Sequence, residues 1–279
     1  MSKHVSTWQW VLGALVVIGI GVYLAHDVSH EVTLAPSRPP AADASMASAT
    51  PHYPVPATEP ESTPEAGTPT PALDTSDADV MNALSALPGA NGLGDLLAPA
   101  QLIARVVAVI DALPRQEVAN NLLPLRSPKG TLITAGANGA KVISDANYAR
   151  YAPYMRIVED IDVKALVDWY VHYYPLFQHA YQQLGYPKGY FNDRLVVVID
   201  NMLATPEPAG PVALTQPKVL YEYANPALQA LSAGQKLLLR AGPANAAVIK
   251  SKLRAIRADL VAKAPTHSGA TPRPASASQ

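Results

Sequence analysis

Gly189-Tyr190-Phe191-Asn192-Asp193-Arg194 sets an amide, a carboxylate and a guanidinium in consecutive positions beside two aromatic rings. Such a trio can open a helix, with Asn192 or Asp193 as its cap and Arg194 solvated. It can also form a buried network or a ligand clamp, because each group offers directional hydrogen bonds. Gln216-Pro217-Lys218 follows beyond the next loop. If the two loops meet, their polar groups cluster beside Tyr190 and Tyr221. Tyr190, Asn192, Asp193, Arg194, Gln216 and Lys218 are therefore the expected ligand-binding residues.

Other chemical groupings are weaker. Asp168, His172 and His179 share one sector of a helix, the arrangement of a metal face. That sector lies opposite the apolar stripe, so a solvated polar face is the better reading and no metal site is expected. Gly136, Gly139 and Lys141 fail the G-x-x-x-x-G-K spacing of a phosphate loop. No G-x-S-x-G, H-E-x-x-H or paired-carboxylate motif occurs, so no catalytic residue and no cofactor is expected. Lys250, Arg254 and Arg257, with Lys252 nearby, form a basic stripe that reads as a solvated helix face. With a net charge of −1, the chain lacks the basic field that suits nucleic acid. The absence of cysteine excludes disulfides and thiolate chemistry. A binding or scaffolding head is the expectation. The alternative is an envelope hydrolase or transferase built on Asp193 or Glu222 with His172.

The elements that must position these residues are mainly helical. Ser76 should cap a first short helix, and Pro99 should open a second that runs to Leu113 with Leu102, Val106, Val109, Ile110 and Leu113 on one face. Residues 131–134 and 141–143 are short extended runs around Asn138-Gly139, a small β-hairpin. Asp162 should cap the longest helix, whose stripe is Val163, Leu166, Val167, Tyr170, Tyr174, Phe177, Tyr181 and Leu184; Gly185 ends it, and Pro175 should kink or split it. Helices at 193–204, 227–240 and 245–263 complete the set, with a break at Gly242-Pro243. Nine of the thirteen tyrosines, both phenylalanines and Trp169 fall between Tyr148 and Phe191. Their helical spacing favours a core over an aromatic groove.

Residues 5–25 carry no ionisable side chain, and at about 1.5 Å per residue they just span a hydrocarbon core. A cleaved signal peptide would need a small residue where Tyr23 stands. The expectation is one transmembrane helix, with residues 1–4 cytoplasmic because Lys3 precedes the run and Asp27 and Glu31 follow it. Residues 26–75 are rich in Pro, Ala, Ser and Thr and should form a disordered stalk. The head then spans 76–263 and a loose tail 264–279. The chain thus reads as an inner-membrane, single-pass protein with a periplasmic, mainly α single-domain head. Its partners would be the membrane, through the anchor, and cell-wall material or an envelope protein.

Four stretches carry a family resemblance: ANYARY at 146–151, YYPLFQHAYQQLGYPKGYFNDRL at 173–195, LATPEPAGPVALTQPKVLYEYANP at 203–226 and LSAGQKLLLRAGPAN at 231–245. On these the chain resembles the bacterial family catalogued as domain of unknown function 3014. The resemblance implies an anchor-plus-stalk layout and brings no activity, substrate or catalytic residue with it.

Overall fold

A computed structural model describes residues 51–55, 72–98, 100–118, 123–126, 128–136 and 141–263. The expected anchor at 5–25, most of the stalk, the Asn138-Gly139 turn and the tail lie outside these. Among the described residues, no helix is long and apolar enough to cross a membrane.

The architecture is mainly α with a small antiparallel sheet. The helices are α1 (Asp77–Ser85), α2 (Leu93–Leu96), α3 (Leu102–Ala112), α4 (Asp145–Ala149), α5 (Ala152–Asp160), α6 (Val163–Gln183), α7 (Phe191–Leu203), α8 (Pro226–Gln229), α9 (Ala233–Ala241) and α10 (Pro243–Lys263). The strands are β1 (Thr134–Ala135), β2 (Lys141–Ile143), β3 (Ala213–Thr215) and β4 (Glu222–Tyr223), in the order β1-β2-β3-β4. The hairpin expected from sequence is thus half of a four-stranded sheet, since Lys141 and Val142 pair with Leu214 and Ala213. Residues 131–133 precede β1 and do not join it.

Helices α6 and α7 pack on each other, and α3 and α10 each contact both. Asp162 caps α6 by accepting from the Ala165 N–H at 2.8 Å, as its position before the apolar run requires. Of the kink or split expected at Pro175, the split does not occur: the helix runs unbroken from Val163 to Gln183. A proline in a helix interior costs about 3 kcal/mol. Tyr173, Leu176 and Phe177, all buried around it, each contribute about 1.5–3 kcal/mol, so packing wins. Caps also depart from local expectation. Ser76 makes no cap and donates instead to the Leu73 carbonyl, while the Asp77 carboxylate accepts from both Gln101 and Leu102 N–H, capping α3 from another helix. The helix expected at 227–240 is two, α8 and α9, the latter opened by a Ser232–Gln235 capping box.

The aromatic band is core. Tyr151, Tyr170, Phe177 and Phe191 are almost fully enclosed, and Tyr181 and Phe191 pack with ring centroids 5.6 Å apart. The sheet rests on a smaller cluster of Ile143, Val212, Leu214, Tyr223 and Leu239.

Burial holds the Tyr151, Tyr173 and Tyr174 hydroxyls up at about 12, with Asp79 adding to the effect at Tyr173. These groups stay protonated in the fold above pH 10, where an unfolded chain releases their protons. Their stabilisation is therefore complete below pH 10 and lost as pH rises through about 12. Burial lowers Lys236 and Lys252 from 10.5, an opposite effect confined to lower pH. Denaturant titrations at stepped pH should show the unfolding midpoint dropping steeply between about pH 10.5 and 12. A flat midpoint across that window would refute the assignment.

Candidate functional site

The N-terminus of α7 is built by its neighbour α6. Helix α7 begins at Phe191, two residues before the expected start, and its N-cap Tyr190 supplies no side-chain cap. Gln178 of α6 does that work: its Oε1 accepts from the Phe191 N–H at 2.9 Å and its Nε2 donates to the Gly189 carbonyl at 2.8 Å. Tyr174 donates to the same Oε1 at 3.0 Å. Neither Asn192 nor Asp193 caps the helix, which frees both for other partners.

Those partners come from the segment expected to be stalk. The Asp193 carboxylate accepts from two successive main-chain N–H groups, His52 at 2.9 Å on Oδ2 and Tyr53 at 2.7 Å on Oδ1. Asn192, almost completely buried, donates from Nδ2 to the Tyr53 carbonyl at 2.8 Å and accepts from the Tyr170 hydroxyl at 3.1 Å. The pair holds Pro51–Val55 by its main chain, and the contacts to Asp193 are charge-assisted. Arg257, held protonated by Asp200 and secondarily by Tyr53, borders the same segment. Part of the expected 26–75 linker therefore lies on the head.

The remaining expected site residues separate. Arg194 belongs to an interior network: its Nη2 donates to the Asp111 carbonyl at 2.6 Å, and its Nε stands 2.9 Å from Asp111 Oδ1, too poorly aligned for a hydrogen bond. Asp111, 3% exposed, also receives Arg115 and the Tyr186 hydroxyl. Tyr190 is half-buried beside Tyr174. Gln216 and Lys218 are exposed in the β3–β4 connection, where the Gln216 amide donates to the Val219 carbonyl. Among the described residues no hydrogen bond or ion pair links either of them to 190–194.

Other expectations are also redrawn. Asp193 is engaged by main chain, Glu222 lies on β4 and His172 stands edge-on to Tyr173; among the described residues no hydrogen bond or ion pair joins His172 to either carboxylate. Asp168 pairs with Lys164 and Lys263. The basic stripe is only in part a solvated face: Arg254 is exposed, but Lys250 and Lys252 are buried and donate to main-chain carbonyls, and Arg257 pairs with Asp200. Sequence reasoning missed Asp111 and Tyr53. A lone carboxylate after Val109-Ile110 in an apolar helix, and a lone tyrosine between prolines, were the available signals.

The family profile described as protein of unknown function (DUF3014) matches residues 102–257, more than half of the chain. The chain belongs to the DUF3014 family. No curated protein and no solved structure matches it. The DUF3014 region contains Gln178, Asn192 and Asp193, whereas the segment they hold lies outside it.

Two substitutions in this DUF3014 protein should behave oppositely. Asp193→Asn weakens acceptors for a short, half-buried peripheral segment, so the melting temperature stays within a degree or two while amide exchange at 52 and 53 accelerates. Asp111→Ala strands the Arg194 guanidinium inside the protein and should cost about 3 kcal/mol. Denaturant titration with hydrogen-exchange mass spectrometry separates them; a large stability loss in Asp193→Asn would make that residue structural.

Proposed function

We propose that the DUF3014 head is a binding module that takes an extended peptide by its main chain at the start of α7, with its own stalk segment as the occupant in cis. The supporting observation is the carboxylate of Asp193 on two successive N–H groups with Asn192 on the carbonyl of the second. Main-chain recognition of this kind supplies affinity, and side-chain contacts on either side supply selection. The module works at the cell envelope. Residues 5–25 anchor it in the inner membrane, the head faces the periplasm, and its partner is an envelope protein or the peptide part of cell-wall material.

The binding role is tested with a chain lacking residues 51–55, first checked for an unchanged melting temperature. A fluorescein-labelled Pro-His-Tyr-Pro-Val-Pro peptide should bind it saturably by anisotropy, and Asp193→Ala in the same background should abolish binding. Failure of the peptide to bind the emptied site would sink the proposal. Purified peptidoglycan and envelope extract, offered to the same pair of proteins, then identify the partner class.

The topology is tested independently. A reporter enzyme active only outside the cytoplasm, fused after Thr75 in the full chain, should be active. An expressed but inactive fusion would place the head on the other side.

A further inference from the structure

A cavity of about 610 Å³ lies away from α7's N-terminus, between the sheet, α9, α10 and the connection that follows α7. Its walls are mostly apolar, with Val142 from β2, Leu238 and Leu239 from α9, and Pro206 and Pro211 from the connection. Among the described residues, one cation lines it. Lys250 of α10 is 4% exposed, and its Nζ donates to the Thr205 carbonyl and to Glu207 Oε1, each at 2.7 Å.

The two partners of that ammonium differ in kind. Thr205 is buried at the C-terminal end of α7, where its main chain is fixed by the N–H bond to Met202. Glu207 sits between Pro206 and Pro208 with its side chain 78% exposed, against 5% for the lysine. The ammonium also keeps the Glu207 carboxyl below its ordinary range, so it is ionised at neutral pH. A buried ammonium needs a counter-ion. A carboxylate that is already mostly in water loses little solvation by leaving.

We propose that this cavity is a second binding site, separate from the peptide clamp, for an aliphatic monocarboxylate whose head group takes the place of Glu207 on Lys250. The chain of such a molecule would lie against Val142, Leu238 and Leu239, and the volume falls within the range that holds small-molecule ligands. A phosphate dianion fits less well, because among the described residues the cavity is lined by one lysine and no arginine while Asp145 and Glu207 also border it. The exchange is of one carboxylate for another at a single ammonium, so no proton transfer is required.

Isothermal titration of the full chain with decanoate tests this, with decanamide as the uncharged counterpart. Decanoate should bind at one site, about tenfold or more tighter than decanamide, the margin expected of a charge-assisted contact in a sheltered setting. Glu207→Gln removes the internal competitor on an exposed side chain. It should leave the fold intact and tighten decanoate binding, with hydrogen exchange in residues 205–212 slowed by the ligand. Lys250→Met should erase the preference for decanoate over decanamide. If Lys250→Met does not fold, Glu207→Gln alone decides. Equal binding of acid and amide, weaker decanoate binding in Glu207→Gln, or no decanoate binding at all would overturn the proposal. The peptide clamp is unaffected by any of these outcomes, since neither substitution touches Asn192 or Asp193.

Discussion

Three phenols of α6 hydrogen-bond to groups around the core, and these bonds organise the head, whereas the buried Tyr151 hydroxyl has no hydrogen-bond partner among the described residues. Helix α6 carries its rings into the core, and their oxygens then dictate what can pack there. Tyr173 reaches Asp79 and so fixes α1. Tyr174 reaches Gln178 and fixes the amide that opens α7. Tyr170 reaches Asn192 and sets that side chain with its nitrogen free to donate outward. The aromatic core and the hold on Pro51–Val55 are thus one construction, the inner side satisfying buried phenols and the outer side presenting the leftover hydrogen-bonding capacity.

How much of this could be read from the residues depends on how local the cause was. The start of α6 was legible, because Asp162 sits one residue before a periodic apolar run. So was the break at Gly242-Pro243, where Gly242 takes φ +94°. The aromatic core was legible as a stripe, although burial of Trp169, Tyr173 and Leu176 as well shows that α6 is covered over a wider arc. The second half of the sheet was not legible, since strands of three and two residues contain too little alternation to announce themselves. GYFNDR was legible as a place of polar chemistry. The identity of its partner was not, because Tyr53 lies 140 residues away in a stretch with no pattern of its own.

Cations give the plainest contrast between pattern and place. A stripe of Lys250, Arg254 and Arg257 looks the same in sequence whether it faces water or carbonyls. In the fold it divides: Arg254 is exposed, Arg257 pairs with Asp200, and Lys250 turns inward. Lys252 likewise ends on the carbonyls of Glu159 and Ile161 at the end of α5. Ammonium groups at these positions satisfy main-chain oxygens left over where helices end, a role that depends on the packing of α10 and on nothing in its own periodicity.

The docked stalk segment also sets a threshold. Pro51–Val55 and the head belong to one chain and are joined by a short connection from Val55 to Ala72. A tethered ligand of this kind acts at an effective concentration on the order of millimolar, whatever the amount of protein. A competing peptide with the same intrinsic affinity would have to reach that concentration before it displaced the segment from half the molecules. On the proposed function, scarce peptides that merely resemble the segment would therefore be refused. The proposed partner would then have to make additional contacts, or be presented at high density on a polymer or a surface, to take the place of residues 51–55.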